Sequence, residues 1–597
     1  MKTALQAYFG FTSFRPNQQE IIEAVLAGRD VFAIMPTGGG KSLCYQIPAV
    51  LLPGVTVVIS PLISLMKDQV DAANDNGIPS AFFNSSLSQD EKRAVIARLH
   101  QRELKLLYMS PERFNLPAFQ NLLQSFNISL IAVDEAHCIS EWGHDFRPDY
   151  LALESLVDIF PGVPLAAFTA TATLKVQEDI SKRLRLRDPF RVRASFNRPN
   201  LSYRIIPKVK VKQQIADYLR KHPGEPGIVY TTTRKNVDAL SAFFRQQDIK
   251  AIPYHAGLSD PVRKRNQEAF NRDKAQVVVA TIAFGMGIDK SNVRFVMHAD
   301  LPKNMEGYYQ ETGRAGRDGE PAECILYFRR SDRIKIDYFI RQMEDEKEKQ
   351  RALDNLERVL RFAQAGECRR RNLLAYFDEV YPLPNCGNCD VCNDETVRID
   401  ATIEAQKALS VIQRTGNRFG GGHVVDVLIG ADTEKVRLYN HQDIKTYGVG
   451  KDRKKEYWRG LVDELLAQNI IVKSPGQYSS LMLTDKAWQV LKGEELFYSS
   501  ATVAAPETGR KVRETVTERT GPVNEDLFQD LRMLRRDIAD KRGVPPYIVF
   551  SDKTLMEMAR KRPQSRDASL SISGVGDHKL KQYGEQFLAV IAVHAVG

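Results

Sequence analysis

Short apolar runs punctuate the first half of the chain: Val31–Met35, Val55–Ser60, Lys105–Met109, Leu130–Val133 and Leu165–Thr169. They are rich in β-branched residues, and longer amphipathic stretches separate them, so they predict strands alternating with helices. A second series follows: Gly227–Tyr230, Ala251–Tyr254, Gln276–Ala280, Arg294–His298 and Glu323–Phe328. Strand–helix alternation predicts a parallel sheet with helices on both faces. The expected fold class is therefore α/β, with two parallel-sheet lobes joined near Phe196-Asn197-Arg198-Pro199-Asn200. The pattern then changes. Residues 332–365 are rich in Lys, Arg, Glu and Gln at helical spacing. Residues 401–500 read as helices closed by a hairpin, Ile470–Lys473 and Ser480–Leu483, with turn chemistry at Ser474-Pro475-Gly476-Gln477. Residues 501–520 are polar and poorly patterned, a linker by composition, and the remainder is helical with breaks at Pro545-Pro546 and Gly574-Val575-Gly576.

Composition narrows this picture modestly. At about 150 residues per domain, a chain of 597 residues suggests several packed units, and 43% hydrophobic residues supports cores over disorder. Lys+Arg 84 against Asp+Glu 74 gives +10, which permits a polyanionic partner without requiring one. No apolar run approaches the length of a membrane span, and Met1-Lys2-Thr3-Ala4-Leu5-Gln6 lacks a secretory core, so a soluble, cytoplasmic protein with no membrane partner is expected. Seven cysteines in so long a chain exclude a disulfide scaffold.

The chemistry concentrates in a few places. Met35-Pro36-Thr37-Gly38-Gly39-Gly40-Lys41-Ser42 follows one predicted strand and opens a helix. Glycines let successive N–H groups face phosphate at a helix N-terminus, with Lys41 reaching the β/γ-phosphates of ATP and Ser42 the Mg²⁺. Asp134-Glu135-Ala136-His137 ends another strand, which suits Asp134 to the Mg²⁺ shell and Glu135 to the base that activates water. Downstream, Tyr308-Tyr309-Gln310-Glu311-Thr312-Gly313-Arg314-Ala315-Gly316-Arg317 places two arginines three apart, expected on one helical face. From the second lobe they could reach the transferring phosphoryl group, Arg317 as the finger and Arg314 as its neighbour. Trp142, His144, Phe146 and Arg147 follow the carboxylates within one loop; aromatics beside a cation suit stacking on single-stranded bases.

Cys368, Cys386, Cys389 and Cys392 have the spacing C-x17-C-x2-C-x2-C, and four thiolates suit a closed tetrahedral Zn²⁺ site of structural type. Cys44, Cys138 and Cys324 lie in apolar segments and are expected in the core.

In this order, the motifs resemble those of superfamily-2 helicases and, more finely, the RecQ family. Phe9-Gly10 through Phe14-Arg15-Pro16-Asn17-Gln18 resembles the family's adenine-reading motif, Ser60 to Gln69 its first DNA-contacting motif, and Thr169-Ala170-Thr171, Tyr254 to Leu258 and Ala280 to Asp289 further helicase motifs. The resemblance implies two RecA-like lobes followed by a zinc-binding helical region, a winged helix and a C-terminal HRDC helical bundle. The expected bounds are 1–196, 197–335, 336–400, 401–500 and 521–597, with 501–520 as linker. It implies nucleotide contacts by Arg15, Gln18, Thr37, Gly38, Gly39, Gly40, Lys41, Ser42 and Gln310, and DNA contacts by Trp142, His144, Phe146 and Arg147. Tyr478 sits where the family carries a strand-separating residue on a hairpin tip, and reads equally well as an ordinary turn tyrosine. It further implies ATP-dependent 3′-to-5′ DNA unwinding in recombination, repair and replication, on single-stranded and forked duplex DNA, by a monomer associated with the bacterial nucleoid. Bacterial members bind single-stranded DNA-binding protein on the winged helix. Here Ile429 stands where the family pattern has Arg, which leaves that partner open. In the HRDC-like segment, Arg532–Arg536, Arg560–Arg562 and Lys579–Tyr583 suggest weak strand binding, with protein contact as the alternative.

Overall fold

The computed structural model describes every residue except 62, 86, 142–144, 282–289, 330, 394–398, 469, 475–479, 500–523 and 595–597. The chain forms two compact units, one of residues 1–336, 376–379 and 519–597, the other of residues 337–375 and 380–518.

The first unit contains both predicted sheets. Strands β1 (Val31–Ile34), β2 (Val55–Ile59), β3 (Ser80–Phe83), β4 (Leu106–Met109), β5 (Ile128–Val133), β6 (Leu165–Thr169) and β7 (Phe190–Arg193) form a parallel sheet in the order β3-β4-β2-β5-β6-β1-β7. All residues of β1, β2, β4 and β6 are buried, as a sheet covered on both faces requires. In this order β5, β6 and β1 are neighbours, so their C-terminal ends meet at one edge, where open α/β sheets bind ligands. Strands β8 (Leu201–Pro207), β9 (Gly227–Tyr230), β10 (Ala251–Tyr254), β11 (Val277–Ala280), β12 (Phe295–His298) and β13 (Ala322–Phe328) form the second parallel sheet, ordered β10-β11-β9-β12-β13-β8. Each sheet has its own apolar core, one around Val31, Val58, Tyr108 and Phe168, the other around Val229, Phe244, Val277 and Met297.

The C-terminal bundle comprises helices Glu525–Arg542, Pro546–Val549, Asp552–Lys561, Arg566–Leu570 and Asp577–Val593 around Leu531, Phe550, Leu555 and Phe587. It packs on both lobes. The first lobe offers Asp75, at the end of helix Ile63–Asp75, whose carboxylate is ion-paired with Arg542 and accepts the Tyr583 hydroxyl at 2.7 Å, while His578 Nδ1 lies 2.9 Å from its carbonyl oxygen. From the second lobe, Asn292 donates to Asp552 at 2.9 Å and Arg272 donates to the Gly543 carbonyl at 2.9 Å. This corrects one expectation. Tyr583 is buried in the docked face and the Lys579 side chain, 12% exposed, is turned into it, where burial lowers its ammonium to about 8, so the pair does not form an open surface for a strand. Arg535 is also internal, held by Asp552 at 2.6 Å and the Phe550 carbonyl at 2.9 Å.

In the second unit, helix Glu346–Gln364 leads to the cysteine cluster. Helices Thr402–Arg414, Gly421–Ile429, Lys455–Ala467 and Asp485–Lys492 then surround Trp458, Leu409 and Val424, with the antiparallel pair Ile471–Lys473 and Leu481–Leu483 as a wing. A short pairing of Ile399–Asp400 with Tyr498–Ser499 closes this domain. Among the described residues no helix is long and apolar enough to cross a membrane. The expected linker, residues 501–520, lies outside the described residues.

Candidate nucleotide site and metal centre

The phosphate loop leaves β1 at Met35, whose N–H donates to the Thr169 carbonyl at 3.0 Å, and enters helix Leu43–Leu51 after Ser42. Gly38 and Gly40 both have left-handed φ, 80° and 82°, the conformation by which glycines let a tight loop present N–H groups to an anion. The carbonyls face the other way and are capped by side chains from elsewhere. Arg15 Nη1 donates to the Gly38 carbonyl, Gln18 Nε2 to those of Gly39 and Gly40 at 3.4 and 3.1 Å, and Arg198 Nη1 to that of Thr37 at 2.5 Å. In a trans peptide the C=O and the next N–H point in opposite directions, so the caps on Thr37 and Gly39 also set the Gly38 and Gly40 N–H groups, while the Gly39 N–H donates within the loop to the Pro36 carbonyl at 2.9 Å. Arg15 and Gln18, expected at the adenine, are thus found bracing the phosphate loop, joined to each other by the Arg15 N–H donating to Gln18 Oε1 at 2.9 Å.

Asp134 follows β5 directly, and its carboxylate accepts the Glu135 N–H at 3.0 Å. Glu135 adopts φ 47°, an uncommon conformation for a non-glycine residue, before the short helix Ala136–Ile139. Its carboxylate lies 3.4 Å from His137 Nδ1, and that same nitrogen is 2.9 Å from the Thr169 hydroxyl at the end of β6. The three adjacent strand ends therefore deliver Lys41–Ser42, Asp134–Glu135 and Thr169 to one place.

From the carboxylates a chain of contacts runs toward the aromatic loop. The Cys138 thiol, kept protonated by burial and by Asp145, lies 3.8 Å from Asp145 Oδ2. Asp145 accepts Arg147 Nε at 3.2 Å, and Arg147 Nη1 donates to the Pro61 carbonyl at 3.1 Å. Burial opposes the Arg147 charge, but Asp145, with Cys138 and Tyr150, more than offsets it and the guanidinium is held above its ordinary pKa. Arg147 is thus a tie between this loop and the segment after β2, and Phe146 beside it is half-buried. His137, Cys138 and Asp145 have potential ligand atoms within 4.8 Å of one another, but Thr169 and Arg147 already engage the histidine and the carboxylate. Trp142 and His144 lie outside the described residues, as does Tyr478.

The second lobe supplies helix Met305–Thr312, capped by Asn304 accepting the Gly307 N–H at 2.7 Å. Gln310 lies half-buried on its last turn. The helix stops at Thr312, so Arg314 and Arg317 do not share a helical face as the spacing suggested; both lie in the following turn, where Gly316 has φ 53°. Arg314 is buried and approaches Tyr230, and its charge, like that of Arg317, favours the phenolate of that tyrosine against the larger effect of burial. The turn sits on the phosphate loop: a Cβ placed on Gly38 would lie 3.5 Å from Arg317 Cα, and one on Gly313 would lie 3.4 Å from the Thr37 side chain.

The metal centre is local. Sulfurs of Cys368, Cys386, Cys389 and Cys392 lie within 4.8 Å of one another. The N–H groups of Asn388, Cys392 and Cys386 each donate to a cluster sulfur at 3.4 Å. The Cys386 thiol hydrogen-bonds Cys389, which lowers Cys389 to about 5 and favours the thiolate a metal needs. Arg369 braces the knuckle, gripping Asp390 at 2.9 and 3.2 Å and donating to the carbonyls of Phe362 and Ala365. A converging tetrad of sulfurs with no oxygen ligand fits zinc and leaves no position for catalytic water. Cys44, Cys138 and Cys324 are buried in the cores, as expected.

Two parallel-sheet lobes, the arginine turn of one resting on the phosphate loop of the other, have the build of a two-lobed helicase motor. Residues 15–180 match the DEAD/DEAH box helicase family, 210–319 the helicase conserved C-terminal domain, 330–393 the RecQ zinc-binding domain, 395–507 the RQC domain and 524–591 the HRDC domain. The chain is 43% identical over 597 residues to the ATP-dependent DNA helicase RecQ of Haemophilus influenzae, covering 99% of this chain and 96% of that protein. It is also 43% identical over 596 residues to the protein of that name from Bacillus subtilis, covering 100% and 98%. Identity to the ATP-dependent DNA helicase Q-like 4B of Arabidopsis thaliana is 35% over 639 residues, 98% of this chain and 55% of that one. The chain belongs to the RecQ family. It is an ATP-dependent DNA helicase with ATP, Mg²⁺ and structural zinc as cofactors.

The sequence motifs singled out the loop, the carboxylates, the arginines and the cysteines; they did not include Arg198, which lies in the segment between the sheets and bonds both the loop and the arginine turn.

Proposed function

We propose that the protein moves 3′ to 5′ along one strand of DNA, drawing its lobes together on Mg²⁺-ATP and separating the duplex ahead of it. Lys41 and Ser42 hold the phosphates and the ion, Asp134 orders the Mg²⁺ shell, and Glu135 takes the proton from the attacking water. Arg317 enters as the finger that stabilises charge developing on the γ-phosphate, with Arg314 beside it. When ATP is bound, Arg15 and Gln18 read adenine and Gln310 contributes from the second lobe. Trp142, His144 and Phe146 stack on the single strand, Arg147 holds their loop, and Tyr478 parts the duplex at a fork. The functional bounds follow the domains expected from the sequence, with the protein working as a monomer on forked duplex in the bacterial cytoplasm.

The observation supporting this reading is the convergence of the β1, β5 and β6 ends, with the arginine turn of the second lobe resting against Gly38. The test is Glu135→Gln beside wild type. Loss of a positioned base should lower DNA-stimulated kcat by about 10²- to 10⁴-fold and leave nucleotide affinity nearly unchanged. On tailed duplexes, wild type should displace the strand only from a 3′ tail. Displacement from a 5′ tail alone would reverse the polarity, and an active Glu135→Gln would remove Glu135 from the mechanism.

A further inference from the structure

The segment between the sheets is bonded almost residue by residue to the arginine turn. Tyr309 donates its hydroxyl to the Phe196 carbonyl at 2.9 Å, and their rings meet edge to face. Asn200 Nδ2 donates to the carbonyls of Gly316 and Glu320, both at 2.9 Å. Between them, Arg198 Nη2 donates to Ala315 and Gly316 at 3.1 and 2.8 Å, and Nη1 to Gly313 at 3.3 Å. The same Nη1 reaches the Thr37 carbonyl of the phosphate loop at 2.5 Å. One planar fork therefore holds backbone carbonyls of both elements that must meet around the γ-phosphate.

Each element has backbone bonds of its own, such as the Gly39 N–H to the Pro36 carbonyl at 2.9 Å and the Gly316 N–H to the Val293 carbonyl at 2.8 Å, but none of these ties the loop to the turn. Gly38 and Gly316 both have positive φ and no Cβ to restrict their peptides. Pinning the Thr37 oxygen orients the Gly38 N–H; pinning the oxygens of Gly313, Ala315 and Gly316 orients the turn from which Arg314 and Arg317 project. A guanidinium presents several donors in a fixed plane, whereas an ammonium is a point charge that could serve one side or the other.

We propose that Arg198 is a positioning residue for ATP hydrolysis, setting the phosphate loop and the arginine turn in register as the lobes close. It acts through Gly38 and Arg317 without touching the nucleotide, and this rests on the reading of Arg317 as the finger. The two can fail separately.

The experiment uses the full chain with saturating single-stranded DNA and Mg²⁺-ATP, and compares Arg198→Ala, Arg198→Lys, Arg317→Ala and the Ala/Ala double variant. Losing an oriented donor of this kind should lower kcat by about 100-fold in Arg198→Ala, while affinity for a fluorescent ATP analogue changes by less than about three-fold. Arg198→Lys should recover only part of the rate, which keeps the test usable if the alanine variant folds poorly. Because Arg198 and Arg317 share the arginine turn, the double variant should lose far less than the product of the two single losses. Multiplicative losses, or an affinity loss as large as the kcat loss, would reduce Arg198 to a brace and overturn the proposal. An inactive Arg317→Ala beside a fully active Arg198→Ala would also overturn it while keeping the finger. An active Arg317→Ala would remove the finger, and with it the ground for this inference.

Discussion

The zinc knuckle and the phosphate loop both present a charged ligand with turned backbone, but they are built from opposite ends of the chain's resources. The knuckle draws its last three sulfurs from Cys386 to Cys392, and its N–H donors from the same turn. The phosphate loop borrows its shape from Arg15, Gln18 and Arg198, residues that lie 21 to 161 positions away from the carbonyls they hold. A self-contained site is all-or-none, because its ligand is also its core. A borrowed site is graded, because each distant cap can be weakened alone.

The largest effect should come from taking the knuckle's ligand away. In Cys389→Ser, zinc content per chain should fall toward zero. Since metal binding in such small sites carries about 10 kcal/mol or more of folding free energy, residues 368–392 should lose protection from hydrogen exchange together. Nucleotide binding should persist, because each lobe has its own apolar core. Retention of zinc with full protection would mean that three thiolates suffice and that the knuckle is not all-or-none.

Gly40→Ala should be smaller and should fall on nucleotide affinity. At φ 82° an alanine is strained by roughly 1–2 kcal/mol, and its Cβ would run into the buried Gln18 amide, breaking bonds worth about 1 kcal/mol each. If the displaced loop must be restored before nucleotide binds, a total near 3 kcal/mol sets the ceiling on the effect, an ATP-analogue affinity weaker by up to about 100-fold. Titration of the analogue decides it. Wild-type affinity would show that Gln18 does not shape the loop.

The same contrast explains how far the sequence could be read. Buried parallel strands announce themselves as apolar runs, and β1, β2, β4, β5 and β6 fall within a residue or two of the expected segments. The strands missed are those whose pattern is mixed or brief. β7 reads Phe-Arg-Val-Arg on an edge, β8 carries Arg204 in its middle, and β3 is a four-residue stretch beginning at Ser80. The four clustered cysteines were legible, because their spacing alone brings them together. Arg198 was not, because its role exists only once two sheets have folded and met. The docking of Lys579 and Tyr583 on Asp75 was hidden for the same reason, and a charge beside an aromatic read instead as a binding surface.

The mildest perturbation is the closest counterpart of Gly40→Ala and tests the comparison hardest. Gly387 has φ 60°, again in the left-handed region, and sits in the turn where Asn385 Oδ1 accepts its N–H at 2.6 Å. Nothing lies within 4 Å of where its Cβ would point. Gly387→Ala therefore meets backbone strain without collision, and the lost freedom of the unfolded chain offsets part of that strain, leaving a net cost of about 1 kcal/mol. Competition with a zinc chelator should show affinity reduced roughly five-fold at unchanged stoichiometry. If Gly387→Ala instead costs as much as Gly40→Ala, positive φ alone explains both glycines. The crowding by Gln18, and with it the view of the phosphate loop as a borrowed site, would then lose its support.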